Sequence, residues 1–396
     1  MLISHLLILF LFSQVMILLN SKLPTVGTTI FSVMSKLAQE HNAINLSQGF
    51  PDYDAPEKLI RYVTEALKNG HNQYAPMPGL AELRNIIAEK TNRFYQANYD
   101  PEAEITITAG GTQAIFTALA ATINAGDEVI IFEPAYDCYS PAVKLLGGLV
   151  KPFELHGPDY EIDWDMVKKL FTAQTKMIIL NNPHNPTGSI LGKKDIDELI
   201  KLTKNTDILI LSDEVYEHVI FDGVKHQSIA LYPELKERSF IIASFGKLLH
   251  TTGWKIGYCL APTKLTLEFR KVHQFNVFSV NTPMQVGIAN YLRSEDIYDE
   301  LAIFFQKKRD FFRTLMAQTK FKLLPCKGSY FQCVSYSDIS DEKDTDFAKR
   351  LIIEHGVASI PLSAFYTKGT DEKVIRFCFA KQKDTLEKAI ESLMRV

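Results

Sequence analysis

From residue 21 onward the spacing of apolar and polar positions changes period repeatedly, and each change marks an element. Phe31–Gln39 carries apolar residues at helical spacing, and Asn45–Pro51 reads as a strand running into a glycine turn. Glu57–Lys68 reads as a helix closed by Asn69-Gly70 as a C-cap would close it, and a loop over 71–76 leads to a further helix over Gly79–Tyr95. Strands and helices then alternate: strand 105–109, helix 112–123, strand 128–132, helix 139–147. Further strands are expected at 177–181, 207–212, 240–245 and 255–261, with helices at 194–204 and 263–275. That alternation predicts a mostly parallel sheet covered by helices. After about residue 285 the rhythm changes. One long helical stretch, Pro283–Gln318, leads to an alternating strand over Gly328–Val334 and a helix at 345–355 closed by Gly356. A strand through Ile375–Phe379 and a last helix follow, with Asp384 and Glu387 placed as a capping box. The fold class expected is α/β: a large domain over 60–285, and a smaller α+β domain made of 21–59 and 286–396.

Residues 1–19 break the pattern with a nearly continuous apolar run, about the minimum length for a membrane helix. The run also resembles a signal core, but no Lys or Arg precedes it and no small-x-small site follows before Asn20. A translation start further along, at Met16, is a third reading. A membrane association is expected only if this run is a real anchor.

Composition narrows the picture. A net charge of −3 with no basic cluster excludes a field suited to nucleic acid. The five cysteines are odd in number and form no C-x-x-C pair, which suits reduced thiols in a cytoplasmic setting. The ten histidines show no metal-ligand spacing, so no metal is expected.

Four features stand at the ends of expected strands. Ala109-Gly-Gly-Thr112 turns from a strand into a helix whose first N–H groups make a phosphate cradle, although most Gly-Gly turns are only turns. Asn181-Asn-Pro-His-Asn-Pro-Thr-Gly188 holds Asn185 rigidly at a strand end, or is merely a proline-stiffened loop. Ser212-Asp-Glu-Val-Tyr216 presents Asp213 and Tyr216, and an Asp there serves equally as a helix N-cap. The apolar strand before Ser244 ends in a small polar turn presenting Lys247, with Lys255 eight residues on. A lysine leaving a buried strand at the sheet edge is desolvated and becomes a nucleophile for carbonyls, whereas a lone loop lysine is more often solvated.

A carbonyl-reactive lysine, a carboxylate and a cationic phosphate cradle together describe a pyridoxal phosphate site. With N-L-S-Q-G-F-P-D, N-Q-Y-A-P, N-N-P-H-N-P-T-G, S-D-E-V-Y and S-F-G-K…T-G-W-K-I-G, the chain from about Ser21 onward resembles the class I aminotransferases of pyridoxal-phosphate fold type I. The closest resemblance is to the branch of methionine and kynurenine aminotransferases and cysteine-conjugate β-lyases. The resemblance implies that Lys247 carries the cofactor as a Schiff base and shuttles the proton. It implies that Asp213 holds the pyridine nitrogen, that Tyr216 and Asn185 bond the ring hydroxyl, and that Tyr136 stacks on the ring. Gly111, Thr112, Ser244 and Lys255 match phosphate binders. Tyr74 matches a tyrosine lent by the other subunit, which implies a homodimer with shared active sites.

Arg376 lies in the apolar strand Val374–Ala380, on the face opposite Ile375, Phe377 and Phe379, and needs an anionic partner. A structural ion pair would satisfy it. The resemblance instead makes it the clamp for the substrate's α-carboxylate, with Gly49 in the segment that closes over that group. Phe31 and Phe278 match positions lining the side-chain pocket. The segment matching the one where dicarboxylate-specific relatives place a second arginine, Gln274–Met284, has no Lys or Arg. The expected reaction is therefore amino-group exchange between a large apolar, thioether or aromatic amino acid (methionine-like, with kynurenine or phenylalanine as candidates) and a 2-oxo acid. Cysteine-S-conjugate β-elimination on the same site stays open.

Overall fold

The computed structural model describes residues 20–396. The apolar run at 1–19 lies outside the described residues. Among the described residues, no helix is long and apolar enough to cross a membrane.

The centre is a seven-stranded sheet in the order Ile105–Thr108, Gly257–Leu260, Ser239–Ser244, Leu209–Asp213, Thr175–Asn181, Glu128–Glu133, Leu149–Glu154. Every pairing is parallel except the two made by Gly257–Leu260, which runs against both neighbours. The inner strands read as continuous apolar runs because both faces are covered. Ile130, Ile178, Leu180, Ile210 and Ile241 pack into one core, while Val129, Ile131, Met177, Ile179, Leu211 and Ile242 pack into another. The period of two along each strand divides them between the faces.

A second, antiparallel sheet joins Ile360–Pro361, Val374–Cys378, Phe331–Ser335 and Lys322–Leu323. The N-terminal stretch is stitched to this later part of the chain, since Ile44–Asn45 pairs parallel with Val357–Ala358 and Cys378 N–H donates to Leu46 O at 2.8 Å.

Several expectations need correction. Leu149–Glu154 is a strand that the periodicity missed: Lys151 and Pro152 interrupt its apolar pattern, which an edge position tolerates. Asn45–Pro51 is not a strand beyond Asn45, and the chain from Leu46 on bends away. The long helix Pro283–Gln318 is two helices, Thr282–Ser294 and Tyr298–Met316. At the break Glu295 is extended and accepts from Lys58 Nζ at 2.5 Å, while Asp296 pairs with Arg93 at 2.8 Å. The Asp384–Glu387 capping box does not form. The helix Lys383–Leu393 has Gln382 at its N-cap with no side-chain cap bond, and Asp52 holds that end by accepting from Gln382 N–H at 2.6 Å.

Candidate active site

The carboxyl ends of the central strands converge, as expected for ligand sites of α/β sheets. Around a cavity of about 140 Å³ they bring Gly111, Thr112, Tyr136, Asn185, Asp213, Tyr216, Ser244, Lys247 and Lys255. A larger cavity of about 700 Å³ lies behind the 181–195 loop, and of the residues around the smaller cavity it touches only Asn181. Size does not mark this site; the gathered chemistry does.

Lys247 sits on a short helix, Phe245–Leu248, directly after the strand Ser239–Ser244, where a polar turn was expected. Its amine donates to the Tyr330 hydroxyl at 2.6 Å and to Gly49 O at 3.1 Å. Burial lowers the amine to about 8, so it supplies a nucleophile near neutral pH. Asp213 is buried at the end of its strand. It accepts from Tyr139 OH at 2.6 Å on Oδ2 and from Val215 N–H at 3.3 Å on Oδ1. Burial raises this carboxyl to about 6 against those two bonds, so a cation placed opposite it would be welcome.

The loop after Thr175–Asn181 is locked by Asn181. Its Oδ1 accepts from Asn185 N–H at 2.7 Å and its Nδ2 donates to Asp213 O at 2.9 Å. Gly110 caps the helix Gly111–Thr122 with φ +82°, a conformation that favours glycine, and no side chain caps the first turn. The free N–H groups of that turn make an anion seat. A methyl at Gly110 would lie 3.3 Å from Lys255 Nζ, which places that amine beside the helix start.

Arg376 is fully buried. Its Nη1 donates to Asn185 Oδ1 at 2.7 Å and its Nη2 to Ser47 O at 2.9 Å. Its Nε has no partner among the described residues. The guanidinium lies 3.8 Å from the ring centre of Phe331, 5.3 Å from that of Phe365 and 5.4 Å from that of Phe31. Tyr74 and Phe278 stand away from the cavity. Their rings meet edge-on at 5.1 Å and both are exposed, Tyr74 at 81%.

Two residues escaped the sequence reading. Tyr139, which bonds Asp213, opens the helix Tyr139–Leu145 three positions after Tyr136, and that closeness in sequence was a usable signal. Tyr330, which bonds Lys247, looked like a strand residue, and only the tertiary fold brings it there.

The donor set fits a phosphorylated pyridine aldehyde: a depressed amine for the aldehyde, a buried carboxyl wanting a cation, and a helix start beside a lysine. An unpartnered guanidinium nitrogen stands behind them. The chain belongs to the family Aminotransferase class I and II, which matches residues 41–393. It is a transaminase of fold type I, and its family uses pyridoxal phosphate. It is 46% identical over 378 residues to the methionine aminotransferase of Escherichia coli (strain K12), covering 95% of this chain and 98% of that protein. It is 32% identical over 410 residues to the kynurenine–oxoglutarate transaminase of Dictyostelium discoideum, covering 93% and 94%. Among solved structures, the Escherichia coli protein whose crystal structure and reactivity identify a methionine aminotransferase function superposes with a TM-score of 0.93 at 45% identity. That match covers 96% of this chain and all of the other.

Proposed function

We propose that this transaminase exchanges the amino group of a methionine-like, apolar or aromatic amino acid with a 2-oxo acid in two half-reactions, using pyridoxal phosphate. The observation that carries this reading is Arg376 set among the rings of Phe31, Phe331 and Phe365. One guanidinium fork suits one carboxylate, and aromatic walls suit an uncharged side chain. No Lys or Arg in Gln274–Met284 offers a second carboxylate a partner.

When bound, the cofactor supplies an electron sink and a store for the amino group. Lys247 would hold its aldehyde carbon and, once released, carry the proton to and from the substrate's α-carbon. Asp213, oriented by Tyr139, would keep a proton on the ring nitrogen. Asn185 and Tyr216 would bond the ring hydroxyl, and Tyr136 would flank the ring. Gly111, Thr112, Ser244 and Lys255 would hold the phosphate. Arg376 would clamp the α-carboxylate, and Gly49 lies in the stretch over it. Asn185, already bonded to Arg376, ties the two ends of the site together.

We further propose a homodimer in which Tyr74 and Phe278 serve the neighbouring site. In support, the two rings pack edge-on against each other and both are exposed, so a second copy would cover an aromatic pair. The two sheets support a large domain over 60–285 and a small one from 21–59 and 286–396, with Ile44–Asn45 joined to the latter.

The test is a visible spectrum of the cofactor-loaded protein with methionine and no oxo acid. The band of the lysine-linked cofactor should disappear and return when a 2-oxo acid is added. Aspartate should act more slowly than methionine or phenylalanine, and the reverse order would overturn the substrate assignment. Pyruvate release from a cysteine S-conjugate without amino exchange would move the assignment to β-elimination.

A further inference from the structure

Three chain segments meet at one phenol. Tyr330 directly precedes the strand Phe331–Ser335 and is 1% exposed. Its hydroxyl donates to Gly49 O at 2.5 Å and accepts from Lys247 Nζ at 2.6 Å. The same amine reaches Gly49 O at 3.1 Å, which closes a triangle. A phenol has one proton, so with that proton committed to Gly49 its oxygen can only accept from the amine. The rings of Tyr216 and Phe331, each 5.0 Å away, surround it, and burial keeps the phenol protonated.

Gly49 belongs to the same short stretch as Ser47, whose carbonyl accepts from Arg376 Nη2 at 2.9 Å. The amine and the guanidinium that would meet an amino acid are thus each held by a carbonyl of residues 47–49. The stretch is pressed onto the aromatic floor: a methyl at Gly49 would lie 2.5 Å from Phe331 Cζ and 3.3 Å from Tyr330 Cε2. Its seating depends on the contacts beneath it, and one of those partners, Lys247, changes state during the reaction.

We propose that Tyr330 is a positioning residue that makes the seating of Ser47–Gly49 depend on whether the Lys247 amine is free. A free amine is captured by the Tyr330 hydroxyl and the Gly49 carbonyl and holds the stretch down beside Arg376. An amine joined to the cofactor is withdrawn from both, so that Gly49 O keeps only its bond from the Tyr330 hydroxyl and the stretch loosens. This rests on Lys247 as the cofactor's lysine in the reading above. It gives the cycle an order: the incoming amino acid displaces Lys247, the released amine seats the stretch over the bound carboxylate, and recapture of Lys247 opens the way out.

The test uses cofactor-free protein and amide hydrogen exchange across residues 44–52. Exchange there should be about tenfold faster in Tyr330→Phe than in wild type, since the hydroxyl's bond to Gly49 O is lost and the amine loses the acceptor that holds it beside that carbonyl. Lys247→Met should also speed exchange, and the double variant should exceed either single, since Gly49 O then loses both donors, yet fall short of the two effects multiplied, because Tyr330 also holds the amine that reaches Gly49. A second readout is the pH profile for capture of added pyridoxal phosphate. Without the phenolic acceptor, the apparent pKa of Lys247 should fall by about one unit, which loss of ring packing alone would not cause. Wild-type exchange in either single variant, or additive effects in the double, would overturn the proposal. If Tyr330→Phe does not fold, Lys247→Met decides by itself. The exchange readout involves neither cofactor nor turnover, so its outcome is separate from whether methionine is transaminated.

Discussion

Arg376 and Asn185, 191 positions apart in the chain, share a 2.7 Å hydrogen bond from Nη1 to Oδ1. The bond links the smaller sheet to the loop that follows a central strand of the larger one. Its buried setting means that neither partner has water to fall back on.

Replacing Arg376 by Lys keeps the charge but loses the fork. The expected loss in kcat/KM for methionine is roughly 30-fold or more, as for breaking a buried charge pair worth about 2–5 kcal/mol. KM should rise for the 2-oxo acid as well as for the amino acid, because both present the same carboxylate. Steady-state kinetics with each substrate varied in turn would check this.

Cofactor uptake should follow the Lys247 amine. Below about pH 8 the group is mostly ammonium and cannot attack an aldehyde, so the rate should rise about tenfold per pH unit and level off above that point. Absorbance after mixing cofactor-free protein with pyridoxal phosphate gives the profile.

Tyr139→Phe removes a donor that favours the ionised Asp213. The carboxyl should climb further above about 6, by about one unit. A protonated Asp213 cannot pair with a pyridinium, so the acid limb of cofactor affinity should move upward in pH. Equilibrium binding at several pH values would show it.

Gly110→Ala places a side chain in a left-handed conformation and against Lys255. Strain of about 1–2 kcal/mol is expected in unfolding experiments. Cofactor affinity should fall more than stability does, because the amine beside the helix start is displaced.

Much of this site was readable in the chain because its parts lie next to strands that announce themselves. Lys247, Asp213 and Asn185 each stand at or just after the end of a strand of five to seven residues with an apolar centre, and the sheet rule then puts them on one edge. Glu57–Lys68 has the same bounds as its apolar spacing suggests. Other features were not readable locally. The break at Glu295 depends on Lys58 and Arg93, which arrive from other helices. The edge strand at Leu149 is held by a neighbour rather than by its own pattern. Tyr330 lies 83 positions from Lys247, and nothing near it in sequence points to an amine.

The reversed strand Gly257–Leu260 has a consequence for how this chain can vary. A parallel strand there would need a crossover of a dozen or more residues and would enter the sheet at the opposite end. Because the strand runs backwards, the chain turns around within residues 245–256 and delivers Lys247 and Lys255 to the same edge. The spacing between those two amines is therefore a matter of loop length alone. Insertions and deletions should be purged from this connection even where its side chains drift.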